Sequence, residues 1–192
     1  MLLNRKLQPT LNKIGEIQIP AIQSENLENG LPLSFIHVGS QELVKLQISI
    51  PAGIIYQNKT LLAFFTNKML KEGSKNHTAA GIAQIMDYYG AYFETRITRD
   101  KAYFNLFCLN KYLEKVLPLV ADMLVHPAFS KEEFLVLREQ EKQSYQTRMQ
   151  KVKNRAIREF NAHIFGKNHP YGSYAELSDY DQIKIEELKK FH

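Results

Sequence analysis

A change of hydrophobic period at Pro51 constrains this chain more than any other feature. Before it, Val44, Leu46, Ile48 and Ile50 alternate with Lys45, Gln47 and Ser49, the signature of a half-buried strand. Pro51-Ala52-Gly53 ends that pattern. Beyond it, in TLLAFFTNKMLKEG, the apolar residues Leu61, Leu62, Phe65 and Met69 recur on one helical stripe, with Thr60 as N-cap and Gly73 as the terminating glycine. A second helix starts at Thr78, repeats Ile82, Ile85, Met86 and Tyr89 on one face, and ends at Gly90. Two aromatic and β-branched stretches, Tyr92–Thr98 and Ala102–Leu109, then read as strands joined at Arg99-Asp100. Strand, two helices and two strands, followed by helices alone, predict an α+β fold: an antiparallel sheet with helices packed mainly on one face.

The flanking regions fit this frame. Residues 1–23, broken by Pro9 and Pro20, read as an N-terminal arm. A hairpin of Glu25–Leu27 and Leu33–Val38 is expected around Asn29-Gly30. After the strands, Lys111–Val125 carries the apolar stripe Leu113, Val116, Leu117, Val120, Met123 and Leu124, and Pro118 requires either a kink or a later start. Ser130 and Glu133 have capping-box spacing ahead of a long polar helix over Lys131–Gln150. A further helix carries Val152, Ala156, Ile157, Phe160 and Ile164 and closes at Gly166. Residues 24–192 read as one domain.

With 192 residues and 44% hydrophobic content, the chain can bury a core. Its net charge of +5 is interspersed, and the densest basic run, Arg148–Arg158, reads as the solvated face of a helix, so no nucleic-acid partner is expected. Cys108 is the sole cysteine and lies in an apolar alternation, which points to a buried thiol and a reducing compartment. No stretch has the length of a membrane span or the apolar core of a signal peptide. A soluble cytoplasmic protein without a membrane partner is expected, unless an export signal has been removed before Met1.

The first helix carries Phe64, Asn67, Lys68 and Lys71 opposite its apolar stripe. The segment resembles the zinc-binding helix of the pitrilysin/insulinase family of zinc proteases, whose H-x-x-E-H signature runs into Met-Leu and then Gly. Met69, Leu70 and Gly73 match, while the two His and the Glu fall on Phe64, Lys68 and Asn67. Ala52-Gly53 after the strand, Gly90 after the second helix, His169-Pro170-Tyr171-Gly172 and the terminal EELKKFH also resemble family wording. The strand motif N-A-x-T does not, since its positions hold Glu94, Thr95 and Ile97. The resemblance runs from about Ser24 to His192, and it implies that the chain stops before the domain's last strand and before a second domain.

Those replacements remove the chemistry. Two imidazoles one turn apart hold a metal and an intervening carboxylate takes a proton from its water. Phe64 has no lone pair, the Asn67 amide is no base, and Lys68 puts an ammonium where a dication would sit. The family's third ligand, a Glu on the long helix, falls on Ser144, and a supporting Glu falls on Leu137. Glu141 shares their stripe, so Lys68 and Glu141 can form an ion pair across the old site; alternatively both face water. None of the six His, at positions 37, 77, 126, 163, 169 and 192, forms a ligand pair on one helical face. Cys108 reads as core rather than as a nucleophile.

The resemblance implies a non-catalytic, pseudo-peptidase subunit that pairs with an active zinc-protease subunit of the same family around a peptide-degrading chamber. No catalytic residue and no metal are then expected in this chain, zinc belongs to the partner, and the substrate is peptide. Two alternatives stand beside it: an active zinc metalloendopeptidase whose ligands lie elsewhere, and a free-standing peptide-binding protein.

Overall fold

The computed structural model describes Gly15 and residues 19–192. Most of the expected arm lies outside the described residues. The chain divides into two compact units, one up to Gln41 and one over Glu42–His192.

In the first unit, β1 (Gln23–Asn26) pairs antiparallel with β2 (Pro32–Phe35), Gln23 opposite Phe35 and Asn26 opposite Pro32. The turn falls at Asn29-Gly30 as the sequence suggests, but both strands sit nearer the N-terminus than expected and the second stops at Phe35. The connection is a five-residue loop, residues 27–31, as long as the expected one and shifted by one residue. Leu27 N–H donates to Leu31 O at 2.9 Å, Leu31 N–H donates to the Asn29 side chain at 3.1 Å, and Gly30 adopts φ +81°. The Asn29 side chain thus supplies an acceptor that closes this loop.

The second unit is built on three antiparallel strands in the order β3-β5-β4: β3 (Leu43–Ile50), β4 (Tyr92–Ile97) and β5 (Ala102–Leu109). Alternation decides what each face does. Ala102, Phe104, Leu106 and Cys108 of the central strand point into the helix layer and are buried, with Leu46 and Ile48 of β3 beside them. The other face carries a polar row in register, in which Gln47 Nε2 donates to Asn105 Oδ1 at 2.7 Å and Asn105 Nδ2 donates to Glu94 Oε1 at 3.0 Å. Asn105 is buried, and the Gln47 amide and the Glu94 carboxylate on either side satisfy it. Gly53, just after β3, lies against the β4–β5 turn so closely that a Cβ there would sit 2.3 Å from the Asp100 carbonyl carbon.

Seven helices complete the unit: α1 (Leu62–Met69), α2 (Ala79–Tyr88), α3 (Leu113–Val125), α4 (Lys131–Gln150), α5 (Val152–Phe165), α6 (Leu177–Gln182) and α7 (Ile185–Phe191). The first is shorter than the stretch Thr60–Gly73 suggests. Leu61 precedes it at φ +70° with its side chain buried, and Gln57 Oε1 rather than Thr60 accepts an amide of the first turn, that of Ala63 at 3.2 Å. Burying Leu61 outweighs the cap that Thr60 offers. Gly73, at φ +114°, lies beyond the helix in the turn that returns the chain.

The second helix follows expectation, its Thr78 hydroxyl accepting from Gly81 N–H at 3.1 Å. A 3-10 turn at Asn110–Tyr112 displaces the start of α3 to Leu113, and Pro118 remains inside it. Ser130 caps α4, its hydroxyl accepting from Glu133 N–H at 3.4 Å and donating to Glu132 at 2.8 Å, while the Glu133 side chain makes no return bond to the Ser130 N–H. The small α6 and α7 place Tyr180 and Leu188 in the core against Phe65 and Phe134 of α1 and α4.

Candidate functional site

The face of α1 carrying positions 64 and 68 lies against α4, and this crossing is the site that the sequence singles out. Phe65 and Met69 fix the rotation of α1 because both are fully buried. Phe65 meets Phe134 and Tyr180 edge to face, at 5.7 and 5.9 Å between centroids. With that side locked, Phe64 and Lys68 emerge one turn apart toward α4.

Lys68 Nζ stands 3.1 Å from Glu141 Oε1 and 5.6 Å from the centre of the Phe64 ring. The Lys68 side chain is 32% exposed and Glu141 14%, so the pair is half-sheltered rather than fully desolvated. The ring face and the carboxylate both attract the Lys68 side-chain charge. Phe64 packs at the border of the core. Leu137, one helical turn before Glu141, is buried in that core, whereas Ser144 is exposed. The crossing therefore brings Phe64, Lys68 and Glu141 together and leaves Ser144 on the surface.

Asn67 departs from its place on the polar stripe. It is buried, and with Thr66 it lines a void of about 60 Å³ beside Ile50, Ala52 and Phe104. Neither Asn67 Nδ2 nor Thr66 Oγ1 has a hydrogen-bond partner. An α-helix of eight residues presents only a narrow arc to solvent when sheet, α4 and α7 all pack on it. Period alone could not tell that the polar stripe at 67 is covered.

Three further groups complete the surroundings, none singled out by the sequence. Burial pushes the Tyr180 hydroxyl up to about 12. Tyr145, whose hydroxyl donates to Ala175 O at 2.5 Å, packs its ring at a tilt of 39° against Tyr180, 5.5 Å between centroids. Burial also pushes the Glu72 carboxyl above its usual range, with Lys71 at 4.0 Å opposing the rise. Lys59 donates to both Glu187 oxygens and to Gln182 O, all at 2.8 Å, and ties the entry of α1 to α7. That hydrogen bond holds the Glu187 carboxyl below its usual range. For Tyr145 a signal existed, since it follows Glu141 at the next helical turn; for Lys59 the 128 residues separating it from Glu187 leave none.

The donor set does not fit a zinc ion. Phe64 offers nothing, Asn67 turns its amide nitrogen inward, Lys68 is a cation, Ser144 is on the surface, and the Glu141 carboxylate is engaged by Lys68. Among the described residues no group of three His, Cys, Asp or Glu side chains is placed to hold a metal. Nor is any described helix long and apolar enough to cross a membrane.

Comparison with known proteins places these observations. A sequence model of the insulinase family, peptidase family M16, matches residues 36–173. An uncharacterized zinc protease of Rickettsia bellii (strain RML369-C) is 28% identical over 109 residues, 56% of this chain and 26% of that protein. The crystal structure of a peptidase M16 inactive domain from Pseudomonas fluorescens aligns at a TM-score of 0.81 and 24% identity, covering 89% of this chain and 42% of that one. A protease from Helicobacter pylori aligns at 0.75 and 18%, covering 91% and 43%. The chain thus spans about a quarter of the curated relative and under half of either solved chain. The two structural likenesses establish the shared α+β fold.

Proposed function

Because this chain belongs to the insulinase family, peptidase family M16, we propose that it is a pseudo-peptidase: a non-catalytic subunit or half that pairs with an active zinc-protease subunit of the same family and walls a peptide-degrading chamber. The observation that carries this reading is the Lys68–Glu141 pair at 3.1 Å. It occupies the helix crossing at which the resemblance puts metal ligands, and a fixed ammonium there opposes a second cation. In this proposal Phe64, Asn67, Lys68 and Ser144 are the degenerate ligand positions, and the chain binds no zinc of its own. The partner supplies the metal, the attacking water and its base. This chain supplies wall, shape and charge toward peptide, in a heterodimer that we assign to the cytoplasm.

A relative described as an inactive M16 domain supports the reading by showing that such domains exist within this fold. Co-expression with a sister chain that retains H-x-x-E-H tests it. We expect a stable complex whose peptidase activity exceeds that of the sister chain alone, and whose zinc content corresponds to one ion per pair. A sister chain equally active and monomeric in the presence of this protein would rule the pairing out.

A further inference from the structure

Seven residues beyond Glu141 on α4, roughly 10 Å along the helix axis, stands Arg148, on the stripe that also holds Leu137 and Ser144. It lines a pocket of about 320 Å³ between the end of α4, the inner face of α5 and the loop at Gly172–Tyr174. Arg99 and Arg158 line it too, as do Asn154, Asn161 and Tyr174. Three arginines from three separate elements converge on one cavity, and no carboxylate lines it.

Much of this cationic group is left available. Arg99 reaches in from the β4–β5 turn and donates Nη1 to Pro170 O at 2.9 Å and to Ser173 O at 3.4 Å, which positions the guanidinium and leaves its other nitrogens. Arg158 lies over the Tyr174 ring at 4.3 Å and donates Nε and Nη2 to Glu159 Oε1 at 3.0 and 2.7 Å, with the Tyr145 hydroxyl also beside its guanidinium. Arg148 makes no salt bridge among the described residues. Of the nearest opposing charges, Glu159 offsets Arg158 from outside the cavity, and Asp100, next to Arg99, accepts from the Tyr171 hydroxyl at 2.6 Å, so the uncompensated charge is that of Arg148 and Arg99. Lys167 adds a further positive charge 5.8 Å from the Tyr174 ring.

We propose that this pocket binds a carboxylate carried on a peptide, either an acidic side chain or a C-terminus. Planar guanidinium forks match the two oxygens of a carboxylate, and the pairing is charge-assisted. The volume decides against a bare ion. It lies at the lower end of the range of organic-ligand sites, and Met149, Ile157 and the Tyr174 ring give apolar wall to the body that carries the charge. Shared with Glu141 on one stripe of α4, the pocket lies about three residues of extended peptide away from the Lys68–Glu141 pair. The inference rests on the pocket alone and holds whether or not the chain pairs with an active subunit.

The test is calorimetric titration of the whole protein with an acetylated five-residue Ala/Leu peptide in three forms: C-terminal amide, free C-terminal acid, and amide with Glu as last residue. At least one acid form is expected to bind ten times more tightly than the neutral amide, to weaken with added salt, and to shift the Arg Nε–Hε NMR resonances. Which acid form binds distinguishes terminus from side chain, and either result supports the pocket. Arg148→Gln should lower that affinity about tenfold with an unchanged melting temperature, and Arg148→Lys should restore part of it. Equal binding of the neutral amide, or undiminished acid binding by Arg148→Gln, would overturn the proposal. So would inorganic phosphate competing as an equal ligand, since the site would then select bare anions. Peptide binding here with no active partner found would leave the pocket assignment standing and remove the paired reading.

Discussion

Lys68 and Glu141 face each other with one partner a third exposed, so their attraction works against solvent screening and side-chain entropy. A double-mutant cycle of Lys68→Met and Glu141→Gln should return a coupling of only about 0.5–1 kcal/mol, shrinking with salt; a value several times larger would mean a desolvated pair. Two residues away the sign reverses. Thr66 Oγ1 is buried and unpartnered, and an orphaned hydroxyl destabilises. Thr66→Val keeps the shape and removes the polar atom, so it should raise stability by about 1 kcal/mol in denaturant unfolding; a loss of that size would show that the hydroxyl is satisfied in solution. The pair was legible beforehand because the family resemblance puts residues 64, 67, 68 and 144 at one site, and helical spacing then sets Glu141 on the stripe of Leu137 and Ser144. The burial of Asn67 was not, since it depends on how closely the sheet and α7 approach α1.

At the scale of elements, the segment between α1 and α2 is pinned to α3 by Asp122. Ser74 Oγ donates to Oδ2 at 2.5 Å and Asn76 Nδ2 to Oδ1 at 2.9 Å, with His77 and His126 at 3.5 and 3.8 Å. The Ser74 hydrogen bond, above all, holds the Asp122 carboxyl below its usual range. A carboxyl depressed in the fold contributes stability that is complete above its unfolded value, near 3.8, and is lost as the pH falls through the lower folded value. Thermal melts should therefore show an acid-side loss in the native chain that Asp122→Asn flattens; parallel curves would refute the role. Gly53→Ala sets a Cβ against the Asp100 backbone, where no side chain can move aside, and should cost more than about 2 kcal/mol. Ala102–Leu109 was legible to the residue because its alternation leaves little choice of boundary, and the start of Lys131–Gln150 because Ser130 caps it. The six residues of α6 are too few to display a period, and its N-cap is Glu176 rather than Ser, Thr, Asp or Asn, so nothing announced it.

For the whole molecule, the question is whether a zinc site could be returned to this scaffold and what it would then do. Phe64→His, Asn67→Glu, Lys68→His and Ser144→Glu together would recreate a ligand set on α1 and α4, and the rotation of α1 fixed by Phe65 and Met69 would keep residues 64 and 68 facing α4. The substitution at 68 also frees Glu141 from its ammonium, leaving a further carboxylate at the crossing. Yet Leu137 stays in the core where the family pattern has a supporting Glu, so the new ligands would lack part of the hydrogen-bonded layer that orients them, a loss worth about 10–100-fold in metal affinity or activity. Asn67 now faces a small void rather than the crossing, and a Glu there must turn away from the sheet before it can act as a base. Substrate must also be held in line, and the 192 residues correspond to under half of the solved chains that share this fold. The expected outcome is zinc retained through dialysis, measured by elemental analysis, with peptide hydrolysis no faster than that of the native chain. Rapid cleavage by the restored protein alone would mean that this domain holds the whole catalytic apparatus except its ligands, and that a second subunit is dispensable.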